Sequence, residues 1–146
     1  MEKEEIKERL QAFLDIRLHK EGTINAMMKM ELVELDIENK RVILRFPIEA
    51  WQMNPAGNMH GGMICTALDI SMGCVSYIFH DVVFTPTIQM AVNFVEGLRA
   101  GQNLLIEAIL DHGGSRMGQC RAIARREADH KVVATANGSY IMNTRK

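Results

Sequence analysis

Apolar residues recur along this chain first at helical spacing and later at every second position. Ile6, Leu10, Phe13, Leu14 and Leu18 mark one face between Glu4 and about His19, with acids early and Arg17, His19 and Lys20 late, as a helix dipole prefers. Gly22 ends that predicted helix. Stretches from about Met27 to Asp36 and from Arg41 to Ile48 then predict a hairpin turning at Glu38-Asn39. Pro47 and Pro55 bracket a loop that carries Trp51. From Gly61 to about Phe79 the chain is apolar around nearly the whole helical circumference, the pattern of a helix buried by its own protein. After Pro86 the pattern alternates: Ile88, Met90, Val92 and Phe94 share one face, then Leu104, Ile106, Ala108 and Leu110, then two further runs reach Met142. Turn residues at Gly97 to Gly101, His112 to Ser115 and Ala128 to His130 separate these four strands and suit antiparallel neighbours.

Helix, hairpin, buried helix and four strands predict an α+β fold with one antiparallel sheet and a long helix against one of its faces. Cys120, Ala122 and Ala124 share one strand face, and Ala134, Ala136 and Gly138 another. Small residues there let a helix approach closely. A chain of 146 residues is the size of a single domain, here residues 1–146. A membrane span is the rival reading of the segment after Gly61. Thr66, Asp69, Ser71 and Ser76 interrupt it and no second hydrophobic segment accompanies it, so no membrane is expected.

Composition adds exclusions. With 47% hydrophobic and 24% charged residues the chain reads as globular, and a net charge of -1 without a basic run gives no general attraction for nucleic acid. The acidic start, Met1-Glu2-Lys3-Glu4-Glu5, lacks the apolar stretch of a secretory signal, so a cytoplasmic location is expected. Cys65, Cys74 and Cys120 lie in apolar surroundings with no Cys-x-x-Cys and no His pair at ligand spacing, which predicts reduced thiols and no metal site.

Candidate chemistry collects on the apolar helix. Gly62, Thr66, Asp69, Gly73 and Ser76 are spaced to share one small, partly polar face, opposite Ile64, Leu68, Met72, Val75 and Phe79. The greasy face is expected on the chain's own sheet and the small face against a partner subunit. Asp69 lies among Ala67, Leu68 and Ile70, with no Lys or Arg between Arg45 and Arg99 to pair with it locally. A carboxylate placed there needs a partner or a function. Gly61 and Gly62 open the helix, where unpaired N–H groups and the positive dipole end can hold a developing oxyanion. His60 before them reads as a cap or a loop-shaping hydrogen bond. At about 1.5 Å rise per residue, Asp69 lies roughly 10 Å along the helix from the Gly62 amide, too far for both to act on one carbonyl. If both groups are catalytic, the acid comes from a second copy of the chain, and sites are shared across an interface.

The segment Asn54-Pro55-Ala56-Gly57-Asn58-Met59-His60-Gly61-Gly62 with Asp69 resembles hotdog-fold thioesterases of the phenylacetate-pathway and 4-hydroxybenzoyl-CoA type. Their signature is Asn-x-x-Gly-x-x-His-Gly-Gly followed by an acid nine residues after the His. The order of elements agrees over the whole chain. The resemblance implies an antiparallel sheet wrapped around a central helix. It also implies hydrolysis of acyl-CoA with no cofactor beyond the coenzyme A of the substrate, in a homodimer or a homotetramer built as a dimer of dimers. It implies that the Gly61 N–H polarises the thioester carbonyl with Gly62 beside the substrate, that Asn54 helps hold that carbonyl or the water, and that His60 supports the loop. The resemblance further implies that Asp69 of the neighbouring subunit acts as general base or nucleophile. Some relatives carry a hydroxyl residue at the start of the strand after the long helix, and Thr87 fits that arrangement, orienting water beside the acid.

Other features carry less. His112-Gly113-Gly114 repeats the motif's letters between two alternating segments and reads as a turn. Arg99, Arg116, Arg121, Arg125 and Arg126 are candidates for the CoA phosphates or plain solvated charges. The alternative function class is a non-catalytic acyl-CoA-binding hotdog module, and a third is a hydratase or dehydratase, whose His and acid stand in a different motif.

Overall fold

The computed structural model describes residues 1–144, and for Arg17 and Leu18 the backbone alone, so their expected places on the first helix face lie outside the described residues. Helix α1 (Lys3–His19) turns Ile6, Leu10 and Phe13 inward. Arg9 joins that inner face at 8% exposure. Its guanidinium donates to the Tyr77 carbonyl at 3.0 and 2.7 Å and to the Val82 carbonyl at 2.8 Å, and lies 4.2 Å from the centroid of the Tyr77 ring. Tyr77 is in the last turn of the long helix α3 (Gly61–Ile78), so this cation satisfies an acceptor that a helix C-terminus leaves open.

The first arm of the expected hairpin is shorter than its sequence suggests. Ile24–Met27 form a helical turn, α2, whose N-cap Thr23 accepts a hydrogen bond from the Ala26 N–H at 3.4 Å, and strand β1 begins only at Glu31 (Glu31–Asp36). The second arm is β2 (Arg41–Pro47), paired antiparallel with β1 across a turn where the Asp36 carboxylate accepts from Asn39. A short 3-10 turn, Ala50–Gln52, carries Trp51.

After α3 come β3 (Val82–Phe84), β4 (Thr87–Phe94), β5 (Asn103–Gly113), β6 (Met117–Arg126), β7 (Val132–Ile141) and β8 (Asn143–Thr144). The large antiparallel sheet runs β1-β2-β5-β6-β7-β4, while the short β3 and β8, invisible in the sequence pattern, pair with each other. The expected hairpins join β5 to β6 and β6 to β7. The expectation fails between β4 and β5: residues 95–102 cross over, β5 pairs with β2, and β4 goes to the far edge beside β7. The cause is the apolar payload. Val42, Leu44 and Phe46 of β2 lie opposite Ala108, Ile106 and Leu104 of β5, all fully buried, so these two strands belong at the sheet's centre. Every residue of β4 keeps some exposure, which suits an edge.

α3 lies in the concave face of this sheet, giving the expected α+β arrangement of a sheet around a helix. Ile64, Leu68, Met72, Val75 and Phe79 are buried as predicted, and ten of the helix's 18 residues are buried in all. The helix is long and apolar enough to cross a membrane, with a mean hydropathy of 1.3, but it spends that apolar surface inside the fold. Close approach comes from the small strand residues: Ala122 opposes Ala136, Ala124 opposes Ala134, and Cys120 opposes Gly138. A Cβ at Gly138 would stand 3.2 Å from the Met72 methyl. Ser76 departs from the predicted small face. It is fully buried, donating to the Met72 carbonyl at 2.9 Å and lying 3.0 Å from the Cys120 sulfur, because one further turn rotates it toward β6.

Candidate active site

The start of α3 is shaped by His60, its N-cap. The His60 backbone N–H donates to the Gln52 carbonyl at 2.8 Å, and its Nδ1 accepts from the Gly62 N–H at 2.9 Å. Neutral His60 therefore carries its proton on Nε2. The Gly62 amide is thus taken by the cap. The Gly61 N–H, by contrast, donates to nothing among the described residues, which makes it the free donor at this helix end. Glycine suits the position because a Cβ at Gly61 would meet the Phe94 ring at 3.3 Å.

Asn54 builds the loop that feeds this helix start. Its side-chain oxygen accepts from the N–H groups of Ala56 and Asn58 at 3.0 and 3.1 Å, and its backbone N–H donates to the Asn58 carbonyl at 2.7 Å. Gly57, at φ 83°, makes the tight turn between them. The Asn54 oxygen is therefore committed to the loop, and only its NH2 remains to meet a ligand. Asn54 and Gly61 share a cavity of about 290 Å³, walled by Phe94 and the 95–97 segment. His60 does not line it.

Asp69 stands two turns further along α3, half-buried rather than enclosed. Two hydroxyls hold it: Thr87 donates to Oδ1 at 2.6 Å and Tyr140 donates to the same oxygen at 2.8 Å. Thr87 and Tyr140 are directly opposed across β4 and β7, so their side chains leave the sheet on the same side. A bulge makes this possible. Gln89 opposes Ser139 and Thr87 opposes Tyr140, leaving Ile88 as the extra residue. In an unbroken strand Thr87 would share Gln89's outward face; the bulge turns it inward to Asp69. The predicted face of Ile88, Met90, Val92 and Phe94 is corrected accordingly, since Ile88 leaves it at the bulge, where it is 48% exposed.

This second cavity, of about 230 Å³, is lined by Asp69, Gly73, Thr87 and Tyr140, with Phe13 of α1 and Asn25 of α2 on its outer side. Burial first, then the Asp69 charge, push the Tyr140 phenol far above its ordinary range, so it stays a proton donor at any working pH. Burial, then the same charge, also raise the Cys65 thiol. The two cavities are separate: Asn54 and Gly61 line one at the helix start, and Asp69 and Thr87 line the other about 12 Å along the helix by its rise.

The family model described as thioesterase superfamily matches residues 56–133, more than half of the chain. The chain belongs to the thioesterase superfamily. It is a thioester hydrolase of the hotdog fold. A protein of Saccharolobus solfataricus described as an esterase is 26% identical over 117 residues, covering 80% of this chain and 82% of that protein. Among solved structures, the PaaI protein of the E. coli phenylacetic acid degradation operon superposes with a TM-score of 0.80 at 14% identity, over 95% of this chain and 94% of that one. A Streptococcus mutans protein bound to acetyl CoA superposes with a TM-score of 0.74 at 23% identity, over 88% and 98%. These likenesses place the fold with PaaI-like hotdog proteins.

In this thioesterase the arginines named from the sequence have mostly structural partners. Arg121 pairs with Asp111 at 2.9 Å, Arg125 donates to the His130 carbonyl at 3.3 Å, and Arg126 binds Asp129 at 2.7 Å, Glu96 at 3.2 Å and the Gly97 carbonyl at 3.1 Å. Arg126 thereby steadies the wall of the Gly61 cavity. Sequence reading missed Tyr140 and Phe94. For Tyr140 a signal existed: it follows Ala134, Ala136 and Gly138 on the inward face of β7, the one large residue with a polar tip in a row of small ones.

Proposed function

We propose that this thioesterase hydrolyses acyl-CoA to the free acid and CoA at sites shared between two copies of the chain. The observation that carries the reading is the division of labour along α3: an unpaired Gly61 N–H at its start and a hydroxyl-held Asp69 about 12 Å further on, in separate cavities. The acid that lines the Gly61 cavity, Glu96, is paired with Arg126 at 3.2 Å, so neither cavity alone joins the oxyanion donor to an uncommitted acid. The β4 edge supports a second copy, since Ile88 and Phe94 are 48% and 55% exposed on a strand with one side unpaired, and Val95 just past its end is 60% exposed. The acetyl CoA bound by the Streptococcus mutans protein supports the substrate class.

In the proposed reaction the thioester carbonyl oxygen sits against Gly61 N–H, with the Asn54 NH2 beside it. On the general-base route, the oxygen of a water bonds to the carbonyl carbon while its proton passes to the Asp69 carboxylate of the other subunit. The oxyanion collapses, the C–S bond breaks, and the CoA sulfur leaves with that proton. On the nucleophile route, the carboxylate itself attacks, CoA thiolate departs, and water then opens the resulting anhydride. The Thr87 hydroxyl donates its hydrogen bond to Asp69, so toward water it acts as an acceptor. His60 fixes the helix start and moves no proton. Of the arginines named from the sequence, Arg99 is exposed and lies two residues past Gly97 of the cavity wall, which makes it a candidate for the CoA phosphates.

The protein incubated with aromatic, short-chain and medium-chain acyl-CoAs in the presence of a thiol trap is expected to release free CoA from at least one of them. Binding without thiol release across that panel would instead identify a non-catalytic acyl-CoA module.

A further inference from the structure

Both hydrogen bonds to the Asp69 carboxylate end on one oxygen, and the Tyr140 hydroxyl is shared with the Asp69 backbone carbonyl at 3.3 Å. Thr87 and Tyr140 donate to Oδ1 at 2.6 and 2.8 Å, and Oδ2 accepts nothing among the described residues. A carboxylate bound in this way has its plane fixed and its two oxygens made unequal. Oδ1 is the anchored, less basic oxygen; Oδ2 keeps its lone pairs for chemistry. Tyr140 is itself 1% exposed, so its hydroxyl cannot turn to bulk water. Its ring packs on α3, where a Cβ at Gly73 would lie 3.7 Å from it. The phenol is therefore rigid in a way that a surface hydroxyl is not.

The geometry points to Tyr140 as a positioning residue of the active site, which with Thr87 clamps Oδ1 of Asp69 and presents Oδ2 to the attacking water or the acyl carbon. This inference rests on the reading of Asp69 as the reacting acid. The phenol touches no reacting atom; it acts through the carboxylate. Burial keeps it protonated, so the clamp is present throughout the pH range in which the enzyme works. Around Asp69 the other ionisable group that senses its charge is the Cys65 thiol, one turn back on α3 and pushed up by burial, then by that charge, so that it is neutral near pH 7. Cys120, behind Tyr140 on β6, is likewise neutral, its thiol pushed up to about 11 by burial. Phe13 and Asn25, from α1 and α2, bring no charge to the cavity, and Thr87 brings none from β4.

The test compares Tyr140→Phe with the native enzyme in kcat, KM and the pH dependence of kcat/KM. The variant keeps the ring and loses the hydrogen bond to the charged carboxylate, together with the longer one to the Asp69 carbonyl. kcat is expected to fall about tenfold with KM little changed, and the acid limb of kcat/KM to move up by about one pH unit. The direction follows because a donor to the carboxylate favours its charged form, so its loss makes the proton harder to remove. Thr87→Val removes the other donor and should move the limb the same way, while Thr87→Ser, which keeps the hydroxyl, should restore it; these serve if Tyr140→Phe folds poorly. A fall in activity with an unmoved limb in both Tyr140→Phe and Thr87→Val would overturn the clamp and leave a packing role. Asp69→Asn separates the two layers. If it is inactive while Tyr140→Phe matches the native enzyme, the clamp is wrong and the acid stands. If it is fully active, both fall together.

Discussion

Asp69→Asn is expected to lower kcat for acyl-CoA hydrolysis by two to four orders of magnitude, the range a general acid–base group contributes. The substitution is well matched to the site. Asparagine retains an oxygen in the place of Oδ1, so the Thr87 and Tyr140 hydroxyls keep their acceptor and the packing around α3 is undisturbed. What is lost is the ability to take a proton from water or to attack the carbonyl. KM should change little, and the oligomer should elute unchanged from a sizing column. Full activity on a good substrate would remove Asp69 from the reaction.

The second large effect is expected from Gly61→Pro, which deletes the oxyanion donor while sparing the helix. Gly61 is the first residue of α3, the position at which proline is best tolerated because its missing N–H is unpaired anyway. His60 before it has φ -59° and ψ 136°, the extended conformation that a residue preceding proline prefers. Losing one oxyanion-hole donor costs about 100- to 1,000-fold in kcat. Gly61→Ala is the control, for it keeps the N–H and adds only a methyl 3.3 Å from the Phe94 ring, which at 55% exposure has room to shift by the few tenths of an ångström required. Alanine should stay within a few-fold of the native rate. If alanine were as damaging as proline, the loss would belong to crowding and not to the missing donor.

The helix-borne half of this account was legible in the sequence because it is local. Gly62, Thr66, Asp69 and Gly73 fall on one face by spacing alone, and the Asn54 to Gly62 motif sets its own turn through Gly57 at φ 83°. Even there, spacing did not reveal that His60 takes the Gly62 amide, which leaves Gly61 as the donor. The strand-borne half was not legible. An alternating run reveals its apolar face but not its neighbour, so β4 read as a partner of β5 although it pairs with β7. Tyr140 meets Asp69 only through that pairing, and Thr87 turns inward only because Ile88 is bulged out. Register is a non-local property, fixed by where the buried faces of β2 and β5 find each other.

The shared site is the central claim, and a mixed dimer tests it. Chains carrying Asp69→Asn and chains carrying Gly61→Pro are each expected to be inactive alone. In a dimer purified through a different tag on each chain, one site combines the native Gly61 of one subunit with the native Asp69 of the other, and the second site carries both defects. Such a dimer should recover about half the native activity per dimer, as two-fold symmetry with composite sites requires. Activity no higher than that of the parent variants would mean that each chain completes its own site, and would contradict the account.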